Sequence, residues 1–181
     1  VRSSATAEDL PEESYAGQLE TFLNVKGEEA LLQACKKCFA SLYTDRAISY
    51  RRNHGFSQTD IAVSVGVQRM VRSDKASSGV MFSIDTDSGF PDVVLINGAW
   101  GLGETVVQGS VDPDEFEVFK PLLDKTEAKP VVRTRCGAKA EKMIYDASGE
   151  KPLRLVKTTK RERNSLVLST EEILTLARWA V

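Results

Sequence analysis

The chain has 181 residues, a length typical of one domain or slightly more, and its 41% hydrophobic and 28% charged residues are ordinary for a globular protein. Its net charge of -2 and pI of about 5.6 provide no overall positive field that would recruit nucleic acid. No run approaches the roughly 18 apolar residues of a membrane helix, and no apolar signal segment follows Val1.

Both ends of the sequence predict a fragment of a longer protein. The first residue is not methionine, and Val1-Arg2 is typical of a strand separated from its upstream partner.

Cys35 and Cys38 form a CxxC, whereas Cys136 stands alone. This odd count without regular spacing predicts a reducing compartment, hence a cytoplasmic location, rather than a disulfide scaffold.

Residues 27–55 predict a helix, because apolar residues recur at spacings of three and four. We expect Gly27 and Glu28 to begin it, Gly55 to end it, and a break at residue 44 or 45. Its apolar face is predicted to contain Leu31, Leu32, Cys35, Cys38, Phe39 and Leu42. No second pair of cysteines or histidines is nearby, so the two cysteines are expected to pack in the core rather than bind zinc. The single histidine, His54, is expected at the surface or as a helix cap.

Strands are predicted in the middle of the chain from β-branched content and alternation. The expected ranges are 60–71, 78–85, 92–100, 115–120, 130–136 and 141–146. Residues 93–96 are entirely apolar, so that strand should be buried on both faces.

The last part of the chain predicts a polar segment followed by a helix. Residues 146–164 are the most polar and are expected to be mobile. In residues 169–181, Ser169 and Glu172 form a capping box that predicts a helix. Since strands dominate the middle without alternating with helices, the sequence favours an α+β fold over a doubly wound parallel sheet.

Two segments could contact a ligand. Arg2 offers a forked cation beside the hydroxyls of residues 3, 4 and 6, and Gly17 would let backbone approach an anion. Composition alone still favours a surface loop there. In the second segment, 98–105, the glycines lack the G-x-G-x-x-G spacing. This segment is therefore either a tight turn at a sheet edge or a loop that lets Glu104 reach a ligand.

Three long motifs carry a family resemblance. They are VRSSATAEDLPEESYAGQLETFLNV at 1–25, GVQRMVRSDKASSGVMFSIDTDSG at 66–89 and INGAWGLGETVVQGSVDPDEF at 96–116. In this order they resemble the ATP-grasp-like nucleotide-binding domain of phosphoenolpyruvate synthases, also called pyruvate, water dikinases. The resemblance is strong from Val1 to about Lys120 and looser to Val181. It implies a partial domain, residues 1–181, with a mixed or antiparallel sheet and packed helices.

The resemblance implies a phosphotransferase with ATP and Mg2+ as cofactors. Such enzymes convert pyruvate, ATP and water to phosphoenolpyruvate, AMP and phosphate through a phosphohistidine, a step of gluconeogenesis. Pyruvate and a swivelling phosphohistidine domain would be partners of the full-length protein. No nucleic acid or membrane partner is expected, and homo-oligomer formation is left open. The fragment alone is expected to be inactive.

The resemblance also assigns site residues. Arg2 would hold the polyphosphate as the catalytic residue. The loop 14–21 would close over it, with Gly17 and Thr21 nearest. A strand containing Gln68, Met70 and Val71 would hold adenine, with backbone groups at its edge and Met70 on its face. Glu104 would accept hydrogen bonds from the ribose hydroxyls.

Other parts of such a site are expected outside this chain. A phosphate-binding lysine would precede Val1, whereas acidic and glutamine magnesium ligands, with a nearby arginine, would follow Val181. No metal ligand is therefore assigned within residues 1–181.

Three alternatives remain open at this level. A rifampicin-type antibiotic phosphotransferase would use the same ATP chemistry on another acceptor. A non-catalytic nucleotide-binding module would bind the nucleotide without transferring a phosphoryl group. The basic run KTTKRERN at 157–164 could contact nucleic acid, but it is short and has no interleaved aromatics, so a solvated loop is favoured.

Overall fold

The computed structural model describes residues 1–6, 17, 19–57, 61–125, 127–148 and 151–181. They form two compact units, Val1–Val71 and Arg72–Val181, each with its own apolar core. Helices occur with antiparallel sheets, which confirms the α+β class. No helix in the described ranges is both long and apolar enough to span a membrane.

The first unit pairs two short strands and two helices. Strand β1 (Arg2–Ala5) runs antiparallel to β2 (Val63–Gly66). Helix α1 (Glu28–Ala40) is followed by a 3-10 turn (Ser41–Tyr43) and α2 (Asp45–Asn53). The predicted break is confirmed, because Thr44 caps α2 by accepting a hydrogen bond from the Ala47 N–H at 3.3 Å. The core contains Leu42, Ala47 and Ile61, with Ala5, Leu19, Tyr50, Phe56 and Val63 packed against them.

The buried stripe of α1 is narrower than the predicted apolar face. Ala34 and Cys38 are buried, but Leu32 and Phe39 are 54% and 51% exposed. The buried positions follow a spacing of four that continues to Leu42, so residues 32 and 39 lie on the opposite side of the helix. The prediction that Leu32 and Phe39 face the core is therefore wrong.

The predicted strand at 60–71 is also shorter than expected. Among the described residues its strand partner is β1, and the register runs from Arg2 opposite Gly66 to Ala5 opposite Val63. Because the ladder ends at Gly66, residues 67–71 have no regular secondary structure.

The second unit is built on a four-stranded antiparallel sheet in sequential order. Its strands are β3 (Ser77–Phe82), β4 (Val93–Trp100), β5 (Asp114–Phe119) and β6 (Val131–Arg135). A separate hairpin joins β7 (Glu141–Tyr145) to β8 (Leu153–Lys157). The helices are α3 (Glu104–Val107), α4 (Lys160–Arg163) and α5 (Thr170–Ala180). The core contains Val94, Ile96, Phe116, Val118, Leu123, Val167, Ile173 and Ala177.

Most of these elements were predicted, and two errors fall in polar segments. The capping box of Ser169 and Glu172 is confirmed at α5. The interpretation of 146–164 as mobile is wrong for 153–163, which form β8 and α4. Strand β8 pairs along the whole of β7, and Trp100 Nε1 donates to the Glu162 carbonyl of α4 at 2.8 Å. The glycine-rich stretch likewise contains α3.

Candidate functional site

Arg2 lies in the middle of a small antiparallel arrangement. It pairs with Gly66 on one side and with Thr21 on the other. The nitrogen of Val1 bonds the Phe22 carbonyl, and the Phe22 N–H bonds the Val1 carbonyl, both at 2.8 Å. Since Val1 and Phe22 exchange both hydrogen bonds, Arg2 and Thr21 form the closer, non-hydrogen-bonded pair. Their side chains therefore share one face.

Residue 20 fixes Thr21 in this place. Ser3 is buried, and its hydroxyl donates to the Glu20 carbonyl at 3.0 Å. Cys38 Sγ contacts the same carbonyl at 3.7 Å, while the Glu20 N–H donates to Ser41 Oγ at 3.2 Å. The end of α1 thus holds the segment that carries Thr21 beside Arg2. Burial of Cys38 in this contact raises the pKa of its thiol.

The guanidinium of Arg2 is available to an anionic ligand. Arg2 and Thr21 are both exposed. Across the part of the chain that the structure describes, no carboxylate or carbonyl pairs with the Arg2 guanidinium. A Cβ atom added to Gly66 would lie 3.5 Å from Arg2 Cγ, so the stem of the arginine lies over this glycine. Sequence reasoning missed Gly66, whose signal was a glycine at the end of a β-branched run.

Gly17 has a conformational role that the structure makes clear. Its φ of +72° is in the left-handed region, and a Cβ atom added to this glycine would meet no other atom within 4 Å. Glycine is therefore favoured there by backbone conformation. The remainder of the predicted loop, residues 14–16 and 18, falls outside the described residues.

The predicted adenine-binding residues do not lie on a strand. Gln68 and Val71 are exposed and Met70 is half-buried, all in the segment beyond the end of β2. The predicted strand is thus corrected, since β2 ends at Gly66 and these three residues lie beyond it. The assignment of these three residues to adenine stays a prediction.

Glu104 begins α3 after a closely packed turn. Gly101 has a φ of +87°, and a Cβ there would lie 2.5 Å from the Met143 carbonyl oxygen. The Leu102 N–H donates to this carbonyl at 2.9 Å, and Ser78 Oγ donates to the Gly101 carbonyl at 2.6 Å. Glu104 Oε1 in turn accepts from Gln108 Nε2 at 2.9 Å. The turn therefore gives the half-buried carboxylate of Glu104 a defined position.

Comparison with known proteins gives a match over the entire chain. Residues 1–181 match the family described as "Pyruvate phosphate dikinase, AMP/ATP-binding domain". The chain belongs to this family. It is 59% identical to the phosphoenolpyruvate synthase of Synechocystis sp. over 99% of its own length and 22% of that protein. It is 56% identical to the Helicobacter pylori enzyme of the same name and 55% identical to that of Escherichia coli, over 100% of this chain.

The chain spans 22–23% of the length of these relatives. The chain therefore corresponds to one part of these longer relatives. The predicted site residues belong to different units. Arg2 and Thr21 are brought together by the first unit, and Glu104 is positioned by the second.

His54, the single histidine, has a structural role. No group of three or more His, Cys, Asp or Glu that could hold a metal occurs among the described residues. His54 is the C-cap of α2, where its Nδ1 bonds the Tyr50 carbonyl at 2.9 Å and its ring stacks on Tyr50 at 4.0 Å. The prediction of a capping histidine is confirmed.

The basic run 157–164 is likewise part of the fold. Glu162 accepts hydrogen bonds from Lys142 Nζ and from the Thr159 N–H, the latter at 2.7 Å. These contacts hold the pKa of Glu162 down at about 2. Arg163 donates to the Thr158 carbonyl. The run forms the end of β8 and α4 rather than the solvated loop that the sequence favoured.

Proposed function

We propose that the full-length protein is a phosphoenolpyruvate synthase and that this chain supplies part of its ATP-binding domain. The reaction would convert pyruvate, ATP and water to phosphoenolpyruvate, AMP and phosphate through a phosphohistidine. The observation that carries the proposal is the match of residues 1–181 to an AMP/ATP-binding domain. Relatives named phosphoenolpyruvate synthase, 55–59% identical to this chain, favour this enzyme over a rifampicin-type phosphotransferase. A partial ATP-grasp-like fold, a cytoplasmic location and a role in gluconeogenesis belong to the same proposal.

In this proposal Arg2 and Thr21 bind the polyphosphate. Arg2 is an exposed, permanently charged fork, and Thr21 places a hydroxyl on the same face. Gly17 supplies a left-handed backbone position in the loop that would approach the phosphates. Phosphoryl transfer depends mainly on positioning and charge neutralisation, which these groups can supply.

The adenosine part of ATP is assigned to other residues. Backbone groups of Gln68 and Val71, two exposed residues, would bond the edge of adenine. Met70 would pack on the adenine face. The Glu104 carboxylate, oriented by Gln108, would accept from the ribose hydroxyls.

Mg2+ enters the proposal as the companion of ATP. Magnesium would be held by the phosphate oxygens of ATP and by residues of the full-length protein. Pyruvate and a swivelling phosphohistidine domain are proposed partners on the same basis.

Product analysis of the full-length protein tests the proposal. With pyruvate and Mg-ATP we expect phosphoenolpyruvate, AMP and one phosphate per turnover, and ATP labelled at the β-phosphate should label a histidine. Rifampicin replaces pyruvate in a parallel reaction. Phosphorylated rifampicin without phosphoenolpyruvate would reject the synthase in favour of the antibiotic phosphotransferase.

Calorimetry with Mg-ATP tests how the binding residues are distributed. Charge-assisted contacts are worth roughly 1.5–3 kcal/mol each, so a chain that lacks several of them should bind ATP orders of magnitude more weakly than the full-length protein. We therefore expect weak binding and no turnover by residues 1–181. Equal, tight affinity in both proteins would show that this chain contains every important contact.

A further inference from the structure

A cluster outside the assigned site consists of Tyr145, Arg72 and Asp74, here called the Tyr145 cluster. Arg72 Nε and one terminal nitrogen donate to the two carboxylate oxygens of Asp74 at 2.7 and 2.8 Å. The same guanidinium lies 5.0 Å from the centre of the Tyr145 ring. Arg72 is therefore fixed by a two-point ion pair and by an aromatic face.

The cluster is firmly anchored although Arg72 itself is 57% exposed. The side chain of Asp74 is 8% exposed, and its hydrogen bonds from Arg72 lower the pKa of the carboxyl. Tyr145 ends β7, and its hydroxyl is enclosed without a hydrogen-bond partner in the described ranges. Burial raises the pKa of this phenol. The ring rather than the hydroxyl is thus the functional part of Tyr145.

Strand β7 also supports the turn that carries Glu104. Met143 bonds the Leu102 N–H, and its backbone lies so close to Gly101 that a side chain there would collide with it. At the other end of the cluster, Arg72 directly follows Val71 in the chain. Strand β7 therefore contacts the turn before Glu104 through Met143 and, through Tyr145, the residue that follows Val71 in the chain.

We propose that Tyr145, Arg72 and Asp74 are positioning residues for the adenosine part of ATP. Arg72, held by Asp74 and Tyr145, fixes the backbone that directly follows Val71, while β7 fixes the turn before Glu104. The cluster acts through these neighbours and does not itself touch the phosphates. This inference rests on the proposed function, since it presupposes that ATP binds to the protein.

The phosphate part and the adenosine part of ATP can be tested separately. Inorganic tripolyphosphate carries the phosphates of ATP without adenosine, so it reports on Arg2 and Thr21 but not on the adenosine contacts. Loss of the Tyr145 ring should raise the Kd of ATP about two- to fivefold, the effect of a cation–π contact on an exposed cation, and leave the Kd of tripolyphosphate unchanged. A general loss of folding would weaken both ligands.

The experiment uses the full-length protein and calorimetry with Mg-ATP and Mg-tripolyphosphate. Tyr145→Leu removes the ring, whereas Tyr145→Phe keeps the ring and removes only the unpaired hydroxyl, and should therefore bind both ligands like the wild type. Arg72→Lys loses the two-point pair on an exposed side chain and so tests the cluster if Tyr145→Leu does not fold. Arg154→Lys is the matched control, because Arg154 is 54% exposed and approaches Asp146 only to 4.0 Å in the same hairpin.

The expected result is selective loss of ATP affinity in Tyr145→Leu and Arg72→Lys, with a raised KM for ATP and an unchanged KM for pyruvate. Equal loss of both ligands, or unchanged ATP binding in Arg72→Lys, would overturn the positioning role. Failure of the wild-type protein to bind ATP would instead reject the proposed function, and the two failures are thus distinguishable.

Discussion

Lys139 and Arg2 use a positive charge in opposite ways. Lys139 is fully buried and donates through Nζ to the Asp114 carboxylate, to the Gly137 carbonyl at 2.8 Å and towards Cys136 Sγ at 3.3 Å. Arg2 is exposed, and its guanidinium has no partner within the described part of the chain. One charge is enclosed by the fold, while the other faces solvent beside a hydroxyl.

The partner of Lys139 is equally well satisfied. Asp114 is fully buried and also accepts from the Gly137 and Val167 N–H groups, each at 2.8 Å. Lys139 adopts a φ of +40°, an uncommon conformation for a residue with a side chain. Because both charged groups have several hydrogen-bond partners, the pair of Asp114 and Lys139 stabilises the fold. The unpaired guanidinium donors of Arg2 suit a ligand. The comparison yields predictions about stability for one region and about binding for the other.

The largest expected effect is on stability, at Asp114. Asp114→Ala leaves Lys139 buried without its counter-charge, so the free energy of unfolding should fall by about 3–5 kcal/mol. Urea unfolding of the chain measures this change. Arg133→Met is the control, since Arg133 is 59% exposed in its 2.8 Å pair with Glu117 and should cost about 0–1 kcal/mol. A similar decrease in the free energy of unfolding in both variants would show that the buried pair contributes no more than an exposed one.

The next effect is on chemistry rather than stability, at Arg2. In the full-length protein Arg2→Ala should slow phosphorylation of the histidine by about 10- to 100-fold, the equivalent of one lost charge-assisted contact, without changing the unfolding midpoint. The rate of Arg2→Lys should lie between those of the wild type and Arg2→Ala, because lysine keeps the charge and loses the two-point geometry of the guanidinium. Arg52→Ala, an exposed arginine of α2, is the control. Normal rates in Arg2→Ala would show that the assignment is wrong.

The contrast between these two regions also explains what the sequence could predict. Arg2 was found because its neighbours in the sequence are hydroxyls and because its motif resembles a family. The capping box at Ser169 and the break at Thr44 were equally local signals. Asp114 and Lys139 are 25 residues apart and meet only through the folded sheet, so no local pattern pointed to the pair.

Long-range pairing accounts for the other errors as well. Strand β8 was missed because its five residues lie within the polar segment 146–164, and its pairing with β7 identifies it. The strand at 60–71 was too long because β-branched residues continue to Val71, whereas the ladder with β1 ends at Gly66. Tyr145 and Arg72 escaped notice for the same reason, since their contact spans two distant segments.

A smaller effect, dependent on pH, is expected at Glu162. Its carboxylate is bonded by Lys142 and Thr159, and its pKa lies at about 2 instead of 4.5. A lowered pKa in the folded state means that the stabilisation is fully present above pH 4.5 and is lost as the pH falls towards 2. Glu162→Gln should therefore cost about 1–2 kcal/mol at pH 7 and progressively less below pH 4.5.

Urea midpoints measured from pH 7 down to pH 2.5 would follow this convergence. Glu171→Gln, in the exposed first turn of α5, is the control and should not reproduce it. A constant difference between wild type and Glu162→Gln across this range would show that the charge of Glu162 is not the source of its contribution. Glu162 would then stabilise α4 by packing alone.

The smallest effect separates the two cysteines of the CxxC. Cys38 is fully buried against the Glu20 carbonyl, whereas Cys35 is only half-buried one turn earlier in α1. Cys38→Ala should cost about 1 kcal/mol of stability, and Cys35→Ala clearly less, because only the first leaves unfilled space in a packed interior.

For these two neutral side chains, as for the charged ones, burial rather than residue type determines the contribution to stability. Thermal unfolding of the two single variants measures it, and metal analysis of the purified wild type and the double variant provides the control. Stoichiometric zinc in the wild type, lost in the double variant, would contradict packing as the role of the pair. A larger loss from Cys35→Ala than from Cys38→Ala would contradict burial as the source of the difference.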